Sequence, residues 1–235
     1  MTRWSLPPGV RSLATVLPHP SVHISFTDGR LAVTGVGLSV FTHPLVGSGY
    51  AFGVKFRPGG FRPLARHLPL RLLNDRSVAA GDVFGADADR LQQQLRRDGS
   101  FDQFIALVEE FIRARRPPCD PVLDSLGPMV QALLLDPSVT RVGAAARRFG
   151  ISPRSLQRIF REYVGVSPKW VLGRYRLHEA ARLIAASPSQ SWAQVAAELG
   201  FCDQAHFTRE FTRAIGQPPG AYAAECMKNS PRMVV

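Results

Sequence analysis

Two stretches of the chain, about fifty residues apart, carry one plan. "VGAAARRFGISPRSLQRIFREYVGVSP" (142–168) and "WAQVAAELGFCDQAHFTREFTRAIGQPP" (192–219) each spell a short helix, a glycine turn and a second helix. Gly150 matches Gly200, and after a one-residue insertion in the second turn Ser152 matches Asp203. Leu156 then matches Phe207, Arg158 matches Arg209, Phe160 matches Phe211, Gly165 matches Gly216 and Pro168 matches Pro219. A helix, a tight turn and a second helix is the helix-turn-helix plan.

The boundaries within the repeat follow from local chemistry. Gly150 suits a left-handed C-cap. Ser152 with Pro153 behind it is an N-cap followed by a proline at the first helical position, which opens a helix over Pro153–Val164. Ser167 and Pro168 repeat the signal and open a long helix to about Ala186. Ser191 with Gln194 reads as a capping box. Asp203 caps a helix to about Ile215, and Pro218-Pro219 opens a last short one. Upstream, Val122–Leu135 and Thr140–Phe149 read as two further helices.

The second helix of each unit has two faces. Leu156, Ile159, Phe160 and Tyr163 form a core stripe in the first unit. Arg154, Gln157, Arg158 and Arg161 form the opposite stripe at i, i+3, i+4 and i+7. Guanidiniums can grip guanine O6/N7 in a bidentate way, and the glutamine amide can do the same to adenine. The equivalent positions in the second unit are Ala205, Thr208, Arg209 and Thr212, with Gln204 at the helix start. The simpler reading, a solvated helix surface, suits one such helix better than two with matching turns.

From about Val122 to Tyr222 the chain resembles the DNA-binding domain of AraC/XylS-type transcription regulators, on "GISPRSLQRIFREYVGVSPKWVLGRYRLHEA" and "GFCDQAHFTREFTRAIGQPPGAYA". The resemblance implies two helix-turn-helix units joined by the long helix Pro168–Ala186, and a bacterial regulator bound to double-stranded DNA. It places base-contacting positions on Arg154, Gln157 and Arg158 and on Gln204, Ala205 and Arg209. Ala205 cannot donate a hydrogen bond, so its contact would be apolar, as to a thymine methyl. RNA polymerase is a further partner if the regulator is an activator.

The first third reads as β. "SVHISF" places Val22, Ile24 and Phe26 on one face, Asp28-Gly29 turns, and "RLAVTG" returns. "AFGVKF" alternates again and ends at "RPGGFRP", which cannot continue a ladder. Asp87 is placed as the cap of a short helix carrying Leu91 and Leu95. Ser100, with Gln103 at the capping-box position, caps an amphipathic one carrying Phe104, Leu107, Val108, Phe111 and Ile112. The fold class is therefore α+β: a β-rich, barrel-like N-terminal domain with two helices (1–116), a breaker at "RRPPCDP" giving a linker (117–121), and an all-α domain (122–235).

"VLPHPSVHISF", "FGVKFRPGGFRP" and "DVFGAD" resemble the N-terminal domain of one regulator subgroup. That likeness implies an effector-sensing or dimerising role, with the effector and the residues that would bind it unspecified, and with monomer and homodimer both open. The first element of such domains is missing ahead of "RWSLPPG", so either the start codon is assigned late or the barrel is trimmed.

Composition agrees with a polyanionic partner. The net charge is +11, carried almost wholly by arginine. Residues 1–125 hold 15 basic and 11 acidic side chains, against 14 and 7 in residues 126–235, so the shorter half is the more basic. No stretch approaches the roughly 20 apolar residues of a membrane span, and "MTRWSLPPGV" lacks a signal-peptide core. A cytoplasmic protein is expected.

Cys119, Cys202 and Cys226 are far apart, with no C-x-x-C pair, so neither a disulfide framework nor a zinc ribbon is supported. Cys202 and His206 are two ligands without a third or fourth. His206 is expected to face a phosphate or to pack beside Phe207. An enzymatic N-terminal domain is the alternative, through a cupin-like metal on His19, His23 and His43 or a cysteine-based DNA-repair activity. No carboxylate or second histidine lies at ligand spacing beside His23, and Cys119 is the earliest cysteine. No catalytic residue, metal or cofactor is assigned.

Overall fold

Period-two alternation at the start of the chain builds strands whose apolar faces need one cover. In the computed structural model, which describes residues 2–7, 9–97, 99–115, 120–135, 139 and 141–228, seven strands are β1 (Thr2–Ser5), β2 (Arg11–Val16), β3 (His23–Thr27), β4 (Arg30–Thr34), β5 (Phe41–Val46), β6 (Ser48–Lys55) and β7 (Ser77–Ala79). Five form an antiparallel sheet in the order β1-β6-β3-β4-β7, and β2 pairs with β5 in a separate ribbon. The sheet is open among the described residues, so the β-rich expectation holds without a closed barrel.

The β3–β4 hairpin turns at Asp28 (φ 52°) and Gly29 (φ 71°). Two positive φ values in a two-residue loop match the right-handed twist of the flanking strands. The register this fixes puts Ile24 opposite Val33 and Phe26 opposite Leu31, all four nearly fully buried. Two single turns of 3₁₀ helix, Arg62–Ala65 and Leu70–Leu73, lead from β6 towards β7.

Three helices cover the sheet: α1 (Ala80–Phe84), α2 (Ala86–Leu95) and α3 (Phe101–Ala114). Leu91 and Leu95 of α2, and Phe104, Val108 and Phe111 of α3, meet Ile24, Phe26, Val33 and Phe52 in one core. Burying each such side chain contributes roughly 1.5–3 kcal/mol. Ser100 and Gln103 make the expected capping box. Asp87 does not cap α2: Gly85 holds that position, and Asp87 lies in the first turn, where it pairs with Arg90 and Arg115. A carboxylate one residue inside a helix is still favoured by the dipole, so the sequence signal is right and its register is off.

The remaining helices are α4 (Pro121–Leu135), α5 (Val142–Arg148), α6 (Pro153–Ile159), α7 (Pro168–Ala186), α8 (Trp192–Glu198), α9 (Gln204–Ile215) and α10 (Pro219–Lys228). Thr140, expected to begin α5, lies outside the described residues, as do 116–119, most of the expected linker. The helix expected over Pro153–Val164 is α6 followed by a wider π turn, Phe160–Val164, closed by Gly165 N–H to the Phe160 carbonyl at 3.0 Å. Ser191 sits at the N-cap of α8 but its hydroxyl makes no cap hydrogen bond, so the capping box expected there does not form.

The 19-residue α7 is about 28 Å long and organises this half. Val171, Leu172 and Tyr175 pack with Leu126 of α4 and with Leu156 and Phe160 of the first unit. Leu177, Ala180, Ala181 and Ile184 pack with Val195, Phe207 and Phe211 of the second. Two units too small to bury a core alone thus share one helix as their common floor.

Candidate nucleic-acid interface

The two units share the same helix-end and N-cap hydrogen bonds at their turns. Gly150 and Gly200 adopt φ values of +64° and +70°. Each ends its helix the same way: Ile151 N–H donates to the Ala146 carbonyl (3.1 Å), and Phe201 N–H to the Ala196 carbonyl (2.9 Å). This is the Schellman pattern that satisfies carbonyls left open at a helix end. Ser152 then accepts from Ser155 N–H (3.0 Å), and Asp203 from His206 N–H (2.6 Å). Gly165 and Gly216 close the second helices at φ +87° and +86°.

Sequence periodicity therefore sets the faces. Leu156, Phe160, Phe207 and Phe211 are fully buried. Arg154, Gln157, Arg158 and Arg161 are exposed together on the first unit, as are Gln204, Ala205 and Arg209 on the second. Arg158 lies 3.8 Å from Glu162, an exposed pair that leaves the guanidinium available. His206, Thr208 and Thr212 are half-buried. The Thr212 hydroxyl donates to the Thr208 carbonyl at 2.7 Å, within its own helix. His206 packs edge-on against Phe201, centroids 5.6 Å apart, and its Nδ1 accepts from Cys202 N–H at 3.4 Å. Its ring neighbour is thus Phe201 instead of Phe207.

Arg176 ties α7 to the second turn. Its guanidinium donates to the Gly200 carbonyl (3.0 Å) and lies over the Phe201 ring (4.9 Å). Burial lowers its pKa, yet an arginine keeps its charge at any ordinary pH.

A third face of α7 receives the N-terminal half. Arg174, 4% exposed, donates to the Leu38 carbonyl at 2.6 Å, and burial brings its pKa down to about 10. His178 lies 3.4 Å from the Pro18 carbonyl and stacks on His19. Leu17 joins the core of the second unit and Val36 that of the first. Asn74 donates to the Gly165 carbonyl at 2.9 Å. These contacts bring the segment carrying Arg62, Arg66, His67 and Arg71 up to the side of α6. In sequence its start, "RPGGFRP", ends a strand and shares in the likeness to a regulatory domain, while Arg66, His67 and Arg71 carry no assigned role. The signal available was four basic side chains within ten residues.

Among the described residues, no three His, Cys, Asp or Glu side chains stand close enough to hold a metal ion. Of the candidate histidines, His19 stacks on His178, His23 is paired across the sheet with Lys55, and His43 lies beside Phe41 on β5. Cys202 and Cys226 are free thiols, and Cys119 lies outside the described residues. No described helix is long and apolar enough to cross a membrane.

Residues 145–225 match the family described as Helix-turn-helix domain, and residues 1–79 match a domain of unknown function, DUF6597. Over 78 residues the chain is 41% identical to the HTH-type transcriptional regulator GlxA of Rhizobium meliloti, covering 33% of this chain and 24% of that protein. Over 77 residues it is 36% identical to the HTH-type transcriptional activator RhaS of Pectobacterium carotovorum, covering 33% and 27%. The chain thus spans about a quarter of the length of these curated relatives. Among solved structures, ToxT from Vibrio cholerae aligns over 94% of this chain and 96% of its own, at 14% identity and a TM-score of 0.47.

Proposed function

We propose that this chain, whose C-terminal domain is of the AraC/XylS type, is a transcription regulator that reads duplex DNA with α6 and α9 in successive major grooves. One observation carries the reading. Two helix-turn-helix units with the same caps and the same glycine turns present polar, arginine-bearing faces, and one rigid helix holds them together. Arg154, Gln157 and Arg158 contact bases in one groove and Gln204, Ala205 and Arg209 in the next, about one helical turn (~34 Å) along. Arg161, His206, Thr208 and Thr212 lie at the margins of these faces, where phosphates pass.

Residues 122–235 are the DNA-binding domain. Residues 1–116 are a regulatory domain that binds no bases, joined through 117–121. Its grip on α7 through Arg174 and His178 gives a small-molecule effector, or a second copy of the chain, a route to the reading helices. The exposed Leu13 (67%), Phe41 (52%) and Val46 (59%) on the β2–β5 ribbon favour self-association there. The role is regulatory and not catalytic, the setting is the cytoplasm, and RNA polymerase is a partner where the bound site activates.

The test is selection of duplexes from a random pool with the purified chain, followed by affinity measured against salt. A shared motif spanning two adjacent groove segments is expected, with a slope of about −0.9 per neutralised phosphate. A pool that yields no retained duplex at low salt would overturn the reading.

A further inference from the structure

A cleft of about 740 Å³ lies between the two halves of the chain, and its walls are basic. Arg154, Arg158 and Arg161 of the first reading helix and its π turn form one wall. Arg66, His67 and Arg71 of the N-terminal half form the other. All six are exposed to solvent. The acidic side chain that lines the cleft, Glu162, is flanked by Arg62 at 3.9 Å and Arg158 at 3.8 Å, and Arg66 lies 3.8 Å from Asp120 behind the wall, a long contact that leaves its exposed guanidinium able to reach the cleft.

Like charges converging on one space repel each other across it, and that cost is relieved when a polyanion enters. The walls are also held in place. Leu70 packs against Gly165, where a Cβ would stand 3.2 Å from Leu70 backbone. Asn74 donates to the Gly165 carbonyl. The 3₁₀ turns carrying or flanking the basic side chains are therefore fixed to the end of the reading helix, with no flexible tether between them.

A helix seated in a major groove is bordered on each side by a sugar–phosphate strand. The cleft lies against the reading face of α6, whose Arg154, Gln157 and Arg158 line it, so a duplex held by that face would bring a bordering strand towards the opposite wall. We infer that the N-terminal half is itself part of the DNA interface: Arg66 and Arg71 hold the phosphate strand bordering the groove that α6 reads. The occupant is nucleic-acid backbone. The choice rests on charge complementarity and on continuity between this wall and the reading face. Phosphate contacts carry no sequence information, so the regulatory domain would add affinity and orientation while the motif stays that of α6 and α9. The inference rests on the duplex-binding reading above.

The test compares the full chain with Arg66→Gln/Arg71→Gln on the duplex selected by the parent. Arg30→Gln/Arg97→Gln, two exposed arginines outside the cleft, controls for the same change in net charge. Losing two phosphate contacts should make the log–log salt slope about 1.8 less negative. The parent's advantage over the cleft variant should accordingly shrink roughly tenfold for a fourfold rise in salt, with an unchanged selected motif. The control should keep the parent's slope. Hydroxyl-radical footprints should lose protection on the strand beside the first reading site in the cleft variant alone.

A cleft variant with the control's slope and footprint overturns the inference and leaves duplex binding standing. So does a variant that binds more tightly, as would follow if the N-terminal wall covered the reading helix. A variant with a shifted motif would make these arginines base readers and overturn it too. A parent that retains no duplex overturns both readings together.

Discussion

The imidazole of His19, in the segment before β3, stacks on that of His178 in α7, with ring centroids 4.0 Å apart and planes 13° from parallel. The two rings come from opposite halves of the chain. The charged groups facing them, Lys55, His23 and Arg174, are all cationic or become so on protonation. Burial is the main cause that holds both rings neutral, and the neighbouring cations add to it. His19 is lowered to about 4 and His178 to about 3.

The sign of the pH effect follows. An unfolded histidine takes up its proton near pH 6.5, while these folded rings refuse it until about pH 4 or below. The unfolded state therefore binds more protons across that window, and stability falls as pH drops through it. A loss of the order of 1–2 kcal/mol is expected from His178 between pH 7 and pH 5, and a smaller one from the more exposed, better screened His19. His19→Phe/His178→Phe keeps the stack and removes the protons, so its melting temperature should depend less on pH than the parent's. Equal dependence would show that the acid response lies elsewhere.

Gly165 and Gly216 make a matched pair for measuring the contact between halves. Both end reading-helix segments at φ near +86°, where alanine costs roughly 1–2 kcal/mol. A Cβ at Gly216 meets nothing within 4 Å, whereas one at Gly165 lies 3.2 Å from Leu70. Gly165→Ala should therefore destabilise more than Gly216→Ala in denaturant titrations. It should also speed proteolysis of the N-terminal half. Equal midpoints would mean the Leu70 contact yields freely.

Phe160 and Phe211 occupy the same place in the two units, and both are fully buried. Truncating either to alanine should cost about 3–5 kcal/mol, the transfer term plus the cavity left behind. Each loss should appear in calorimetry as a lowered transition of the whole C-terminal domain, because α7 is floor to both cores. Loss of one unit with the other unmoved would show that α7 does not couple them.

Arg158→Ala and Arg209→Ala remove matched residues from the two reading faces. Each should relax specificity over a few base pairs and cost ~1–3 kcal/mol where the contact is bidentate to guanine. Arg161→Ala should weaken all sequences alike. The first face carries three arginines against one, so its truncation should cost the more affinity. Selected-sequence profiles decide the matter: specificity lost at the same base pairs by both variants would contradict the two-groove arrangement.

The repeat determined most of the C-terminal half directly from sequence. Gly150, Ser152, Gly165 and their partners act within a few residues of themselves. A left-handed turn needs glycine and an open helix end needs an acceptor, so these signals are written locally. The strands around Ile24, Leu31 and Phe52 were legible for the same reason, since alternation records burial on one face. Capping at Asp87 and Ser191 was misread because several residues near a helix start can serve the same open donors, and packing chooses among them.

The arrangement of the two halves was decided by tertiary structure alone. Leu17 gives no sign in sequence that it completes the core of the second unit, more than 150 residues away. Nothing in the sequence marks His178 and Arg174 on their helix, and only the approach of Pro18 and Leu38 makes the first a buried neutral ring and the second a buried cation. Arg66 and Arg71 likewise carry no periodic signal, because the turns that hold them face α6 only after Leu70 docks on Gly165. Local rules set the reading helices; long-range packing, invisible to any window of sequence, set what stands beside them.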